Sequence, residues 1–185
     1  MLKYIPEDTQ VVFEEIPDEI TLAINISNCP HHCPGCHSPY LRENIGEDLY
    51  GEDLVNLIRK NEGITCVLFM GEGKDEEHLF HLIDLIHSLN NDALFSSLVL
   101  NGRKLKIGLY TGSNHVSEFL WENLDYIKLG PYIEELGPLN NPTTNQRLYK
   151  YDKDHPRECM SYMIDGKYRA NWMDITERFW RKGTE

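Results

Sequence analysis

The sequence predicts an α/β fold in which parallel strands alternate with helices. Runs of β-prone residues alternate with segments whose apolar residues recur at helical spacing, in the order β, helix, β, helix, β, helix, β. Strands that alternate with helices pair in parallel through right-handed crossovers. Residues 64–70 (ITCVLFM) are almost wholly apolar, which is typical of a strand buried on both faces of a parallel sheet.

The strands are predicted from alternation and apolar content. The segment 20–27 (ITLAINIS) alternates along the chain with period two, and a shorter strand precedes it. Two later runs, KLKIGLYTG and DYIKLG, each end at a glycine. The predicted strands are 11–15, 20–27, 64–70, 104–112 and 125–130.

The helices are predicted from apolar residues that recur every three or four positions. The clearest helix, 75–89, begins with acidic residues and has one apolar stripe, which includes Leu79, Leu82 and Ile86. The segment 91–103 indicates a short helix and a turn. The other predicted helices are 51–60 and 116–123.

The last fifty residues show a looser pattern. The segment 137–147 (GPLNNPTTNQR) is rich in Pro, Asn and Thr and is predicted to be a loop. Asp165-Gly166, between two β-prone runs, indicates a hairpin. The segment WMDITERFW is predicted to be a short amphipathic helix capped by Asp174 or Thr176.

Length and charge limit the classes of function. The chain has 185 residues and carries 18 Lys and Arg against 30 Asp and Glu, a net charge of −12. Phosphate binding needs clustered cations, so this balance argues against a nucleic-acid partner. No apolar stretch is long enough to span a membrane, and the amino terminus lacks the apolar core of a signal peptide. We therefore expect a single domain, 1–185, that works in the cytoplasm.

The strongest chemical signal is a group of three cysteines in the loop after the predicted strand 20–27. Cys29, Cys33 and Cys36 have the spacing C-x3-C-x2-C. Clustered thiols in a reducing compartment are more often metal ligands or redox groups than parts of a disulfide framework. Loops that follow parallel strands meet at one edge of the sheet. This loop is therefore expected to lie beside GEG at 71–73, TG at 111–112 and GP at 130–131.

Two kinds of metal centre are compatible with three thiols. A structural zinc ion takes four ligands, and His31, His32 or His37 would complete a Cys3His site. A 4Fe–4S cluster ordinarily takes four cysteines, so three leave one iron open to a substrate or a chelating cofactor. Cys66 lies in the predicted buried strand 64–70 and is interpreted as a core residue. Cys159 is interpreted as a free structural cysteine.

The C-x3-C-x2-C motif at the end of the first strand of a βα unit resembles the radical S-adenosylmethionine enzymes. In that family three thiolates hold a 4Fe–4S cluster, and the amino and carboxylate groups of S-adenosylmethionine chelate the open iron. The resemblance implies that the cosubstrate is the fourth ligand here. Cys29, Cys33 and Cys36 would then be the metal ligands.

Three further segments carry a narrower resemblance. CPGCH after a short acidic amino-terminal strand, DYIKLGPYIEEL and TTNQR together resemble the activating proteins of anaerobic ribonucleoside-triphosphate reductase, over residues 11–147. That subfamily implies an abridged (partial) βα barrel of radical S-adenosylmethionine type, with a parallel sheet open on one side. It also implies reductive cleavage of S-adenosylmethionine to a 5′-deoxyadenosyl radical, which abstracts a hydrogen from a glycine of the reductase. The implied partners are the large subunit of that reductase and an electron donor such as flavodoxin or ferredoxin.

The resemblance also implies cosubstrate contacts. The backbone of Gly35, Cys36 and His37 matches the segment that approaches the adenine. The family shows two glycines followed by an acid after the second strand, whose backbone pairs with the methionyl amino group. This chain has Gly71, Glu72 and Gly73 there instead, so the acid is displaced by one place.

Two single residues complete the implied site. Thr111 matches the loop that contacts the ribose or the carboxylate. Lys128 is predicted near the end of the fourth parallel strand, where a lysine pointing into the barrel would need an anion, and the methionyl carboxylate would supply it. No role is predicted for Asn145, Gln146 and Arg147.

Other functions remain open at the level of the sequence. The same radical chemistry would serve another glycyl-radical enzyme or a small molecule. A non-catalytic Cys3His zinc module or an electron carrier would also use clustered thiols. An electron carrier is expected to fill every iron site with cysteine, whereas an open-sided barrel suits a protein loop that enters from outside.

Overall fold

The structure is a computed structural model that describes residues 1–153, 162–164 and 166–180. Its main feature is a seven-stranded sheet. The strands are β1 (Lys3–Tyr4), β2 (Gln10–Val12), β3 (Thr21–Asn25), β4 (Glu47–Asp48), β5 (Cys66–Met70), β6 (Lys106–Tyr110), β7 (Tyr126–Leu129), β8 (Arg147–Tyr151), β9 (Tyr162–Ile164), β10 (Lys167–Arg169) and β11 (Trp172–Asp174). The α-helices are α1 (Gly51–Lys60), α2 (Glu76–Asn91), α3 (Ala93–Leu98) and α4 (Glu118–Asn123).

The centre of the sheet is parallel, as the sequence predicts. The strands β3, β5, β6 and β7 are neighbours in that order, and helices lie in the connections between them. The predicted helix 51–60 coincides with α1, and the predicted helix 75–89 is α2. The remaining boundaries differ by a few residues, because the ends of elements depend on local capping and pairing.

The helix α2 shows why these segments fold as predicted. The Asp75 side chain caps it by accepting the backbone N–H of His78 at 3.0 Å, and acidic residues occupy its first turn. Its buried stripe packs on the sheet. It is 16 residues long, and no helix in the described part of the chain is both long and apolar enough to cross a membrane.

Both edges of the sheet are antiparallel. The strand β2 pairs with β3 at one edge, and β8 pairs with β7 and then with β11 at the other. No local pattern in the sequence predicts β1, β4, β8 or β11. Their residues become strands because distant partners pair with them, and strand propensity depends on such neighbours.

One prediction for the carboxyl-terminal part is wrong. The segment WMDITERFW is not one helix, because Trp172–Asp174 forms β11 and only Thr176–Phe179 forms a short 3-10 helix. Asp174 does act near its start, since its Oδ1 accepts the Thr176 N–H at 2.9 Å. The predicted hairpin is present as β9 and β10, which pair antiparallel, although Asp165 itself lies outside the described residues.

The sheet separates two apolar clusters. The larger lies on the face covered by the helices and includes Val67, Phe69, Ile107, Leu109 and Ile127. The smaller lies on the opposite face, which we call the inner face. Its buried members are Ile16, Cys66, Leu68, Tyr110, Tyr126, Leu148 and Ile175.

The inner face is covered by chain from the two edges of the sheet. The segment 13–19, after β2, places Ile16 in the smaller cluster, and the segment after β11 adds Ile175. The Arg178 guanidinium forms two hydrogen bonds with the Asp18 carboxylate between these segments. No closed barrel is found among the described residues, since β2 and β11 are the two ends of the sheet. The abridged barrel of radical S-adenosylmethionine type stays a prediction.

Candidate functional site

Four loops meet at the carboxyl edge of the parallel strands, as topology predicts. The cysteine loop, 28–41, follows β3, and the loops 71–73, 111–113 and 130–134 follow β5, β6 and β7. Side chains of the cysteine loop contact each of the other three loops. We refer to this edge as the site edge.

The cysteine loop is tied down at both ends. The Cys29 N–H donates to the Leu41 carbonyl at 2.8 Å, and the Asn28 N–H donates to the Glu43 carbonyl at 3.2 Å. Within the loop, the Cys36 N–H donates to the Cys33 carbonyl at 3.3 Å. The backbone bonds therefore make one closed loop of the segment that carries the three thiols. All three cysteines are partly exposed at its surface.

The three cysteine thiols interact electrostatically. Burial raises the pKa of the Cys29 thiol, and negative charge on Cys33, Cys36 and Glu72 raises it further. A hydrogen bond from the backbone N–H of His31 lowers it. Three thiolates on one loop repel one another, so a bound metal centre would stabilise them. No three His, Cys, Asp or Glu side chains converge on a single-ion position in the described ranges. A cluster does not need such convergence, because its thiolates bind separate irons.

No described cysteine can provide a fourth thiolate at the site edge. Cys66 is the first residue of β5, so it lies at the opposite end of the strand, about 13 Å from the carboxyl end at ~3.3 Å per residue. It is 0% exposed, and burial raises the pKa of its thiol well above the usual value. This matches the interpretation of Cys66 as a core residue. Cys159 lies outside the described residues.

His31 joins the cysteine loop to two other loops. Its Nε2 lies 2.5 Å from Oε1 of Glu72 and 3.4 Å from Oγ1 of Thr111. A carboxylate only accepts hydrogen bonds, so Nε2–H is the donor to Glu72. The ring also packs on Gly112, where an added Cβ would lie 2.8 Å from the His31 Cγ and Cδ2. His31 therefore fixes the first half of the cysteine loop.

The second half of the loop rests on the segment after β7. The rings of His37 and Tyr132 meet edge to face with centroids 5.0 Å apart. Gly35 has φ +67°, and an added Cβ would lie 3.2 Å from side-chain atoms of both Tyr132 and Glu134. Glycine is therefore required before the third cysteine by backbone conformation and by packing.

The structure assigns the glycines after β5 a packing role that the sequence analysis did not identify. Gly73 has φ +61°, and a Cβ there would lie 2.5 Å from Leu2 Cδ2. A Cβ at Gly71 would lie 3.1 Å from the Ile26 carbonyl oxygen. These glycines bring the loop against the end of β3, and the Glu72 side chain between them contacts His31.

Lys128 lies on the inner face at the site edge. The register places it beside Tyr110 of β6, with its Nζ 5.7 Å from the centroid of that ring. Its Nζ donates to the Gly130 carbonyl at 3.3 Å, and the residue is only 8% exposed. Burial lowers the pKa of Lys128 to about 8, although nearby negative charge, first that of Cys33 and then that of Glu15, raises it. No carboxylate of the described residues lies within ion-pair distance of Nζ.

Two residues without a predicted role hold the loop after β7. Asn145 Nδ2 donates to the Pro131 carbonyl at 3.0 Å, and Gln146 Nε2 donates to the Gly130 carbonyl at 3.3 Å. They directly precede β8, whose pairing with β7 brings them to the site edge. The only signal in the sequence was the resemblance of TTNQR to the late segment of a family, and it indicated no contact.

Two clefts open at the site edge. One of ≈ 480 Å³ lies between the loops after β5 and β6, where Glu72, Ser113 and His115 are among its lining residues. A second of ≈ 340 Å³ lies between the chain segments that cover the inner face, and Glu15, His37 and Phe179 are among its lining residues. The second cleft borders the cysteine loop at His37.

The predicted site residues therefore gather in one place. The three cysteines, Gly35, His37, Glu72, Thr111 and Lys128 all lie at or face the site edge. Comparison with family models, curated proteins and solved structures found no match for this chain. The class of protein is consequently a matter for inference from these residues and their geometry.

Proposed function

We propose that this protein is a radical S-adenosylmethionine enzyme that activates a glycyl-radical partner, the anaerobic ribonucleoside-triphosphate reductase. The reaction abstracts a hydrogen atom from a glycine of the reductase and leaves a radical on that glycine. The observation that carries the proposal is the combination of three thiols on one anchored loop with the buried Lys128 ammonium, which has no ion-pair partner among the described residues. This combination offers three soft ligands and a cation for a carboxylate.

The residues at the site edge fit such a cofactor. Cys29, Cys33 and Cys36 would bind three irons of a 4Fe–4S cluster and leave the fourth iron to S-adenosylmethionine. The chemistry that such a cluster would supply is one-electron reduction of S-adenosylmethionine, which would cleave the carbon–sulfur bond to give methionine and a 5′-deoxyadenosyl radical. Lys128 would hold the methionyl carboxylate, because a buried ammonium without an ion-pair partner is stabilised by an anion.

Other residues would orient the cosubstrate. The backbone of residues 35–37 would approach the adenine, and Thr111 would reach the ribose or the carboxylate. The backbone carbonyls of Gly71 and Gly73 would accept hydrogen bonds from the methionyl amino group. We assign Glu72 a different role, because its carboxylate already holds His31 and thereby the cysteine loop.

The open side of the sheet supports a protein as the target. The cleft lined by Glu15, His37 and Phe179 offers a peptide loop a recess beside the cysteine loop. We propose the large subunit of the reductase as this partner, a flavodoxin or ferredoxin as the electron donor, and the cytoplasm as the location. The net charge of −12 gives no support to a nucleic-acid partner.

The first experiment tests the cofactor. Anaerobic reconstitution with iron and sulfide should load about four irons and four sulfides per chain and turn the protein brown. The single variants Cys29→Ala, Cys33→Ala and Cys36→Ala should lose this absorption, while Cys66→Ala, the matched control, should keep it. A colourless protein with one tightly bound zinc ion would instead establish the Cys3His zinc module.

The second experiment tests the reaction and the partner. Reduced, reconstituted protein is mixed with S-adenosylmethionine and the anaerobic reductase encoded in the same genome, and the products and the paramagnetic resonance spectrum are recorded. We expect 5′-deoxyadenosine, methionine and a glycyl radical on the reductase, which disappears when its target glycine is changed to alanine. Cosubstrate cleavage without a radical on any glycyl enzyme of that organism would move the target to a small molecule.

A further inference from the structure

The carbonyl oxygen of Gly130 is shared by two side chains. Lys128 Nζ and Gln146 Nε2 both lie 3.3 Å from it as donors, and a carbonyl oxygen has two lone pairs with which to accept both. Gln146 is 7% exposed, so its amide is buried at this place rather than resting on the surface. The ammonium of Lys128 and the amide of Gln146 are therefore fixed relative to one peptide group.

The next carbonyl along the chain, that of Pro131, is held by the side-chain amide of Asn145. Asn145 Nδ2 donates to the Pro131 carbonyl at 3.0 Å, while its Oδ1 is buried without a hydrogen-bond partner among the described residues. An unpaired buried acceptor is destabilising, so the fold tolerates a penalty at the residue that makes this contact. Unpaired polar atoms of this kind are uncommon and require an explanation.

The backbone around these amides is closely packed. An added Cβ at Gly130 would lie 3.2 Å from Gln146 Cα and 3.3 Å from the Asn145 carbonyl oxygen. Gln146 is itself held, because its N–H donates to Thr144 Oγ1 at 3.2 Å. The start of β8 is thus pressed directly against the end of β7.

The segment that follows the carbonyls held by Asn145 and Gln146 contacts the cysteine loop. Tyr132 and Glu134 follow Pro131 by one and three residues, and they pack against the cysteine loop at Gly35 and His37. The hydrogen bonds of Asn145 and Gln146 to the two carbonyls, which we call the clamp, therefore have two effects. The clamp fixes the carbonyl that anchors Lys128, and it fixes the segment on which the second half of the cysteine loop rests.

We propose that Gln146, supported by Asn145, is a positioning residue that holds the Lys128 ammonium in place for the carboxylate of S-adenosylmethionine. The inference rests on the proposed function, in which Lys128 binds that carboxylate. Gln146 does not touch the cosubstrate. It acts through the Gly130 carbonyl, so its effect requires Lys128 to be present.

The variant Gln146→Met keeps the length of the side chain and removes both amide donors. In the reconstituted protein we expect it to weaken S-adenosylmethionine binding by roughly threefold to tenfold, the effect of one hydrogen bond, at unchanged iron content. Lys128→Met should weaken binding more, and the double variant should bind no worse than Lys128→Met alone. Asn61→Leu is the control, since Asn61 Nδ2 also donates to a backbone carbonyl, at 2.8 Å, but at the end of α1.

A second measurement uses the metal-free chain and no cosubstrate. The ε-methylene resonance of Lys128 in lysine-labelled protein is assigned by its loss in Lys128→Met. It should shift in Gln146→Met and stay in place in Asn61→Leu. If Gln146→Met does not fold, Gln146→Glu keeps a polar group at this position and should shift the same resonance.

The outcomes separate the two proposals. An unmoved Lys128 resonance in a folded Gln146 variant would overturn the positioning role whether or not the protein binds S-adenosylmethionine. Independent, multiplying losses of affinity in Gln146→Met and Lys128→Met would overturn it as well. A shifted resonance in a protein that loads no cluster would support the clamp and contradict the proposed function.

Discussion

The imidazole of His31 and the carboxylate of Glu72 join two loops whose residues are 41 positions apart, with 2.5 Å between Nε2 and Oε1. The contact lies at the edge of the sheet where the three cysteines are found. It also gives the acid of the GEG segment a structural role, because Glu72 at this place reaches His31. The cysteine loop is thus held through His31, one of its own residues, which lies between Cys29 and Cys33.

The first prediction concerns this contact. His31→Ala and Glu72→Ala should each make the loop cysteines of the metal-free protein react roughly threefold to tenfold faster with iodoacetamide. The partly exposed contact is worth about the energy of one hydrogen bond, and its loss frees the loop. Peptide mass mapping gives the rates, with buried Cys66 as the unreactive internal standard.

A glycine substitution provides an independent check of the same contact. Gly112→Ala places a Cβ 2.8 Å from the His31 ring and should displace it, so its phenotype should match that of His31→Ala. Glu77→Ala, an exposed acid in the first turn of α2, is the control and should leave the rates unchanged. Wild-type rates in both Gly112→Ala and His31→Ala would show that the contact does not order the loop.

The second prediction is the pH dependence caused by Lys128. Its pKa in the folded protein is about 8, below the usual 10.5, so between these values the unfolded chain binds more protons. The free energy of unfolding should therefore rise with pH in this window, by roughly 2–3 kcal/mol between pH 7.5 and pH 10. Denaturant titrations of the metal-free protein should show the rise, and Lys128→Met should lack this part of it. Parallel pH profiles of the two proteins would contradict the burial of the ammonium.

The third prediction compares two contacts that cover the inner face. Ile16→Ala should reduce the free energy of unfolding by about 2–5 kcal/mol, because Ile16 is fully buried in the smaller apolar cluster. Arg178→Ala should cost at most ~1 kcal/mol, because its ion pair with Asp18 is exposed to solvent. Chemical denaturation measures both. A larger loss in Arg178→Ala than in Ile16→Ala would mean that the ion pair, and not apolar packing, holds the two edges together.

The fourth prediction concerns a buried carboxylate at the end of the sheet opposite the cysteines. Glu19 accepts hydrogen bonds from Thr65 Oγ1 at 2.6 Å, Tyr126 Oη at 2.7 Å and Lys106 Nζ at 2.5 Å. Glu19→Ala removes the acceptor of the buried Tyr126 hydroxyl, whereas Lys106 is partly exposed to water, so it should cost about 1–3 kcal/mol of unfolding free energy. Glu19→Gln retains an acceptor and should cost less.

The same variant separates stability from function. Because Glu19 lies far from the site edge, folded Glu19→Gln should load iron and bind S-adenosylmethionine as the unmodified protein does. Reduced iron loading in a fully folded Glu19→Gln protein would indicate that the two ends of the sheet are coupled.

The sequence alone determined the alternation of the parallel strands with helices and the position of the cysteines in the loop after one of those strands. Apolar periodicity depends only on residues close in the chain, so it predicted α1, α2 and the strands β3, β5, β6 and β7. Parallel topology then required the loops after these strands to share one edge, which placed Cys29 and Lys128 in the same region before any contact was known. The spacing of the three thiols likewise suggested a metal centre.

Tertiary structure decided the contacts among those loops and the edges of the sheet. The residues of β8 become a strand because β7 lies beside them, and the same pairing brings Gln146 to the Gly130 carbonyl. The contact of His31 with Glu72 depends on where β3 and β5 end relative to each other and on the twist between them, which no local pattern encodes. Such contacts join residues distant in sequence, so their geometry exists only when the sheet has formed.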